Sequence, residues 1–261
     1  MRGRFDVGAM FISCGCVVVS LLAPAFASTG PEGSSASKTE RYQGMASDPR
    51  TNAPLYTEEH QLSFRNGRLE TVETTYSGSD KKFWGTLKTR PTRADDFFTY
   101  RFEDARSGQV HGVDVAEGNR VTMFRKTSAK EKMEKEDYTL EKGAPTTVAG
   151  QGFHFYLSSL IRQAKLKPGD EHKIRLLLPG RFDYYTFRIR VESQEKGLLK
   201  CHLEFDNMFL RFFGGVSMKL VYEEKSGRLM EYVGPTHLDD NEGDLIELVR
   251  VVYRYAEDRA E

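Results

Sequence analysis

The sequence predicts a mainly β protein of the α+β class, in which a single curved antiparallel sheet or incomplete β-barrel carries one amphipathic helix packed on it or in it. Three observations predict this fold. Apolar and polar residues alternate in many short segments, tight turn sequences separate those segments, and one stretch has a helical period. A single helix cannot cover both faces of a parallel sheet, so an antiparallel sheet is the better solution.

Turn sequences indicate how the strands are connected. Asn66-Gly67 separates two extended runs, and such a pair is the strongest local sign of a two-residue hairpin. The turns at Lys196-Gly197, Ser226-Gly227 and Glu242-Gly243 are too short for a crossover, so they require antiparallel neighbours. Roughly eight to eleven strands are expected. The later strands are placed at 197–206, 216–223, 228–233 and 246–255. The last of them has apolar side chains on both faces, which predicts a central strand buried on two sides.

One segment, residues 153–165, has the period of a helix. Its apolar residues recur at i, i+3, i+4, i+7, i+8 and i+11, which marks one face of a helix. These residues are Phe153, Tyr156, Leu157, Leu160, Ile161 and Ala164. Basic residues and Pro168-Gly169 then mark the end of the helix. This apolar face is predicted to seal the sheet, with Leu160 in the core.

The N-terminus has the three-part pattern of a secretory signal peptide. Arg2 and Arg4 precede an uncharged stretch that ends in Ala25-Phe26-Ala27. We expect cleavage after Ala27, export to the periplasm and no membrane span after cleavage. The alternatives are an uncleaved anchor or lipidation at Cys14 or Cys16. The predicted domains are a signal peptide at 1–27, a disordered leader at 28–41 and a single β-rich domain at 42–256.

The charge balance gives no support to nucleic-acid binding. The chain has 38 basic and 38 acidic residues, whereas a surface that follows phosphates shows a basic excess. Signal cleavage leaves Cys201 as the sole cysteine, so no intramolecular disulfide is expected. Strict alternation around Cys201 places it on the buried face of a strand, and a structural thiol is favoured over a reactive nucleophile.

Motifs for catalysis and metal binding are absent from the sequence, and neither an enzyme nor a cofactor is predicted. His154 and Ser158 are four residues apart on the helix, but a solvated helix face is favoured over a nucleophile and its base. The other histidines that stand among charged or turn residues show no zinc spacing; they are His60, His111, His172 and His237. The acidic residues 239–244 are interpreted as a polar hairpin loop, with a calcium site as the alternative. Alternating charges at 126–142 indicate a solvated loop or short helix.

An apolar stretch next to Gly214 and Gly215 is the candidate binding element. Its large side chains are Phe209, Leu210, Phe212 and Phe213. They form either a lid or tip that touches lipid or a hydrophobic ligand, or a strand that enters the core and bends at the glycines.

Several strings resemble periplasmic proteins of the DUF3108 type. They are Val148-Ala149-Gly150-Gln151-Gly152-Phe153, Leu166-Lys167-Pro168-Gly169-Asp170, Arg188-Ile189-Arg190-Val191 and the stretch Leu220 to Thr236. The resemblance covers about residues 42–255 and rests on structural turns. It implies a secreted, mostly antiparallel protein of Gram-negative bacteria, similar in shape to the LolA-like incomplete barrels that carry lipoproteins and lipids. It implies no catalytic residues.

Three functional hypotheses follow. The first is a non-enzymatic periplasmic protein that binds a lipid, an acyl chain or an envelope protein in a half-barrel. The second is a structural or scaffold protein whose sheet is fully packed, and the third is a hydrolase with an unrecognised site. An apolar pocket of some hundreds of cubic ångströms separates the first from the second.

Overall fold

The computed structural model describes residues 37–92, 98–115, 119–141, 145–209 and 217–256, which belong to one compact unit, residues 35–261. In the first half of the chain the strands are β1 (Ser37–Ser47), β2 (Pro54–Arg65), β3 (Arg68–Gly78), β4 (Phe83–Pro91), β5 (Phe98–Asp104), β6 (Val110–Val115), β7 (Arg120–Lys126) and β8 (Glu134–Thr139). In the second half they are β9 (Thr146–Ala149), β10 (Glu171–Leu178), β11 (Asp183–Glu195), β12 (Leu198–Phe205), β13 (Ser217–Glu223), β14 (Leu229–Gly234) and β15 (Val249–Tyr255). The helix α1 spans Gly152–Arg162, and a single 3-10 turn spans Pro179–Arg181.

The strands form one curved, unclosed sheet in the order β8-β7-β6-β5-β4-β3-β2-β1-β15-β14-β13-β12-β11-β10-β9. Successive strands pair as antiparallel neighbours in each half, and β1 joins the halves by pairing with β15. β9 and β10 pair in parallel because α1 lies between them in the chain. The predicted antiparallel sheet with one helix is therefore confirmed. The described residues form 15 strands in this sheet, more than the sequence predicted; β8, for example, has no apolar face that would mark it as a strand.

Two-residue turns with left-handed backbone close the β2–β3 and β11–β12 hairpins. Asn66 and Gly67 have φ of 51° and 75°, and Lys196 and Gly197 have φ of 51° and 77°. Both residues of this turn type need positive φ, which is why asparagine and glycine are favoured there. The hairpins predicted at Asn66-Gly67 and Lys196-Gly197 are therefore confirmed.

The sheet curves so that the edge formed by β9 and β10 is covered on both faces. In β10, Ile174 and Leu176 belong to a core shared with α1, whereas Leu177 on the opposite face belongs to the core of strands β1 to β7. In β9, Val148 belongs to the core shared with α1, and Ala149 belongs to the core of strands β1 to β7. The β9–β10 end is therefore buried on both faces. The other end is β8, whose side chains are mostly charged and exposed, which discourages pairing with another chain.

The sheet has a first arm, strands β1 to β8, and a second arm, strands β9 to β15. Helix α1 lies between these two arms. Leu157 and Ile161 pack with strands β10 to β13, while Phe155 on another side packs against Tyr42 and Leu62 of the first arm. The helix ends at Arg162, three residues before the predicted end, because Ala164 adopts left-handed φ of 52°. The predicted position of one helix packed in the sheet is confirmed.

Three sequence expectations differ from the structure. β1 begins at Ser37, so residues 37–41, assigned to the leader, are paired with β2. Residues 134–139 of the charged region form an edge strand, because backbone pairing with β7 requires no apolar face. β15 is central but is buried on one face, since Val249 and Val251 are buried while Val252 on the outward face is half-buried.

Replacing Gly85 by alanine will destabilise the fold by about 3 kcal/mol, because overpacking against rigid backbone has a cost of this order. A Cβ atom at Gly85 would lie 2.2 Å from the backbone oxygen of Glu103 on the paired strand β5. Gly180→Ala is the matched control, since nothing lies within 4 Å of its added Cβ. Urea unfolding of both variants measures the difference, and equal midpoints would contradict the packing argument.

Candidate functional site

A groove of about 640 Å³ lies where the C-terminal end of α1 meets two hairpin turns of the second arm. Its walls are the end of the helix with residues 164–168, the β11–β12 turn at 194–199, and residues 223–225 after β13. This volume falls in the range of small-molecule sites. The groove is the candidate binding site of the described chain.

The floor of the groove is apolar. Ile161, Leu166 and Leu199 line it, and all three are buried members of the core around α1. Leu198, Ala164 and Pro168 add further apolar lining. Because the three core side chains are almost fully covered, the apolar surface that a ligand can reach belongs mainly to Leu198, Ala164 and Pro168.

The rim of the groove is mainly cationic. Arg162, Lys167, Lys196 and Lys225 line it, against the two carboxylates of Glu223 and Glu224. Glu223 already accepts a hydrogen bond from the Ser226 hydroxyl. Within the part of the chain that the structure describes, none of the four cations forms an ion pair. The rim consequently offers positive charge without a partner beside an apolar floor.

Local sequence explains how the groove walls are placed. Gly227 has φ of 67°, and a Cβ atom there would lie 2.8 Å from the Ser158 carbonyl oxygen, so the β13–β14 turn packs directly on α1. The amide of Lys165 donates to the Leu160 carbonyl at 3.0 Å and turns the chain after the helix back toward the sheet. The sequence analysis identified these turns but missed the groove, because its walls come from three separate segments.

A second polar site lies inside the sheet. His60 Nε2 is 2.8 Å from Glu58 Oε2, and His60 Nδ1 is 2.9 Å from Thr74 Oγ1. Thr74 Oγ1 is also 3.4 Å from Gln151 Oε1, just before α1. An acid, a base and a hydroxyl in this order resemble a nucleophile relay. Thr74 is fully buried, however, so a substrate has no path to its hydroxyl in this conformation.

Three further histidines are half-buried, and their pKa values are lowered. Burial lowers the pKa of His111 to about 4, and that of His154 to about 3, where the charges of His60 and Arg162 add to the effect. Burial likewise lowers the pKa of His237 to about 3, assisted by His111 and opposed by Asp104.

The expectation that His154 and Ser158 face solvent is wrong. Ser158 is buried under Gly227, and His154 Nδ1 lies 3.2 Å from the Tyr222 hydroxyl. The sheet packs against more than one side of the helix. The buried surface of the helix is therefore larger than its apolar stripe alone indicates. His60, His111 and His237, which stand among charged or turn residues in the sequence, lie beside aromatic rings that neighbouring strands and the 235–248 loop supply.

Cys201 is a buried structural thiol, as predicted. Its side chain is in the core around α1. Burial, followed by the nearby charge of Glu192, raises the pKa of the Cys201 thiol to about 12. Since the thiolate is the nucleophilic form, this cysteine is unreactive at neutral pH.

The remaining sequence candidates are placed as follows. Phe209 is 70% exposed, while Leu210, Phe212 and Phe213 lie outside the described residues.

In the acidic loop, the Asp240 carboxylate accepts hydrogen bonds at 2.9 Å from the amides of Glu242 and Asp244. Arg106 binds the carbonyls of Asp239 and Asp240, each at 3.0 Å. Residues 239–244 therefore form a polar loop, and within the described ranges no group of three or more His, Cys, Asp or Glu side chains is placed to hold a metal ion.

The fold and the groove together define a β-rich protein with a packed interior and a cationic surface groove. No protein-family model, no curated protein and no solved structure matches the chain. The resemblance to DUF3108-type proteins stays a prediction. Among the described residues, no helix has the length and apolar character needed to cross a membrane.

Proposed function

We propose that this is an exported, non-enzymatic binding protein that holds an anionic amphiphile, such as an acyl chain with an acidic head group, in the groove at the end of α1. The observation that carries the proposal is the unpaired cationic rim above a floor of core side chains. The acyl chain would bury apolar surface of Ala164, Pro168 and Leu198, which are exposed or half-buried in the groove. The acidic head would pair with the rim cations. Export rests on the N-terminal sequence pattern.

The groove supports this proposal better than the space within the rolled sheet does. Large side chains of both arms fill that space, and Tyr76, Phe102, Leu157 and Tyr222 are all under 2% exposed. A ligand there would have to displace packed side chains, whereas the groove is already open to solvent. This filled interior favours the second candidate, a scaffold protein that binds no small ligand.

Binding of a dansyl-labelled fatty acid to the full mature chain tests the proposal. The double variant Lys196→Glu/Lys225→Glu is expected to bind about tenfold more weakly, which corresponds to about 1.4 kcal/mol. The methyl ester of the same probe, which has no charge, is expected to bind the wild type and the variant equally. Higher salt is expected to weaken binding of the acid alone, because exposed charges are screened.

Lys219→Glu is the matched control, because Lys219 is exposed on the outward face of β13. This variant should bind the acid as the wild type does. Equal losses in both variants would contradict a site in the groove. If the wild-type protein takes up neither the acid nor the ester, the scaffold candidate replaces the carrier.

A further inference from the structure

The strand register places the turns between antiparallel strands alternately at two ends of the sheet. At one of them, here called the β1–β2 end, Ser47 at the end of β1 pairs with Arg250 near the start of β15. The C-terminal ends of β3, β5, β10, β12 and β14 lie on the same side. The two arms also meet there, because the Arg106 guanidinium donates to the carbonyls of Asp239 and Asp240 at 3.0 Å.

Among the described residues, all but one of the exposed large apolar side chains lie at or near the β1–β2 end. The exception is Val115, which ends β6 at the opposite end. Phe83 begins β4, Phe209 follows β12, and Leu248 directly precedes β15. Their concentration at one end indicates an interaction surface. The side chains at the end itself, here called the apolar rim, are Phe83, Tyr184, Met208, Phe209, Leu245 and Leu248.

The rim side chains project from separate turns, and exposed charged residues stand between them. Lys81 and Lys82 precede Phe83, whereas Asp244 and Glu247 flank the segment that begins at Leu245. The core of a protein–protein interface is depleted of charged residues, so this pattern fits a protein partner poorly. A lipid surface accepts single apolar side chains, while neighbouring charges stay among the head groups. The pattern therefore favours a lipid surface.

The charges beside the rim match head groups that carry both signs. The ammonium groups of Lys81 and Lys82 suit lipid phosphates, and the carboxylates of Asp244 and Glu247 suit the ammonium groups of phosphatidylethanolamine. A purely anionic surface would repel these carboxylates. We propose that the apolar rim docks the protein on a zwitterionic lipid surface. The groove at the end of α1 lies at the opposite end of the sheet, beside the β11–β12 turn, so docking leaves it open.

Sedimentation of the full mature chain with vesicles of phosphatidylcholine and phosphatidylethanolamine tests the docking. The double variant Phe83→Ser/Leu245→Ser should bind about tenfold more weakly than the wild type, because two large apolar side chains no longer leave water. Both residues are more than half exposed, so the fold does not depend on them. Val115→Ser is the matched control, since it removes an exposed apolar side chain at the opposite end. A wild type that binds no vesicles, or an equal loss in the control, would overturn the proposal.

Trp84 reports which end of the protein faces the lipid. It is the only tryptophan of the chain, it follows Phe83, and its ring packs against the Arg106 guanidinium at 4.1 Å. Vesicles whose acyl chains carry bromine should quench the Trp84 emission, because heavy atoms quench only at short distance. Vesicles without bromine should leave the emission unchanged. Bound protein whose emission bromine does not quench would contradict docking through the rim.

Two further measurements exclude other occupants. If size-exclusion chromatography shows a wild-type dimer and a monomeric Phe83→Ser/Leu245→Ser variant, the rim is an interface between copies and the proposal is wrong. The groove variant Lys196→Glu/Lys225→Glu should bind vesicles as the wild type does, and a loss there would assign the lipid contact to the groove. The rim variant should still bind the dansyl-labelled fatty acid. Failure of the docking proposal is therefore distinguishable from failure of the groove proposal.

Discussion

Acidification from about pH 7.5 to about pH 5 is expected to lower the free energy of unfolding by at most about 6 kcal/mol, which is up to about 2 kcal/mol for each of three half-buried histidines. The pKa values of His111, His154 and His237 in the folded state lie near 4, 3 and 3, below the ordinary value of 6.5. The unfolded chain therefore binds more protons once the pH falls below about 6.5. Stability is present above that pH and is lost progressively as the pH falls towards the folded-state values.

Urea titrations across this pH range measure the effect, and a single substitution isolates one histidine. His237 Nε2 is buried and has no hydrogen-bond partner among the described residues, so His237→Leu removes a titrating group without leaving an unsatisfied partner for that atom. This variant should lose up to about 2 kcal/mol less on acidification than the wild type. An identical slope in the His237 variant would refute the assignment.

Leu157→Ala is expected to lower the free energy of unfolding by about 3 to 5 kcal/mol. Leu157 is completely buried between the helix and the second arm of the sheet, so its removal leaves a cavity that the paired strands cannot close. Thermal or urea unfolding measures the loss.

Leu160→Ala is the matched control on the same helix. Leu160 only packs against the edge of this core, and we expect less than half of the loss seen for Leu157. Equal losses for the two variants would show that the helix does not sit between the arms as described. The sequence pattern alone predicts Leu160 as a core residue, so this comparison distinguishes the structure from the pattern.

Much of the fold could be predicted because it depends on local signals. Asn66-Gly67 and Lys196-Gly197 determine two hairpins by their own backbone preference, and the alternation around Cys201 gives its buried face. The helix could be predicted for the same reason. Its exact buried surface could not, because Ser158 is covered by a turn about seventy residues further along the chain, near Gly227.

The candidate sites were missed because they form between distant segments. His60 stands among charged residues in the sequence, but strand pairing places Thr74 beside it and the helix brings Gln151 to the same point. The groove likewise combines Arg162, Lys196 and Lys225, none of which belongs to a recognisable motif. Periodicity shows which face of a strand is buried, but it contains no information about which distant residue lies opposite.

The pairing of β1 with β15 has a consequence for how the chain folds. Apart from the parallel β9–β10 pair, each half of the sheet is a series of neighbouring hairpins, which form quickly because their contacts are close in the chain. The seam between the halves joins residues that are at least 203 positions apart along the chain, the separation of Ser47 and Arg250. Until β15 arrives, β1 and β14 are open edges that other chains can pair with. The sheet is therefore complete only after β15 has paired with β1 and β14. A chain that ends before Val249 would expose two unpaired strand edges at the centre of the sheet.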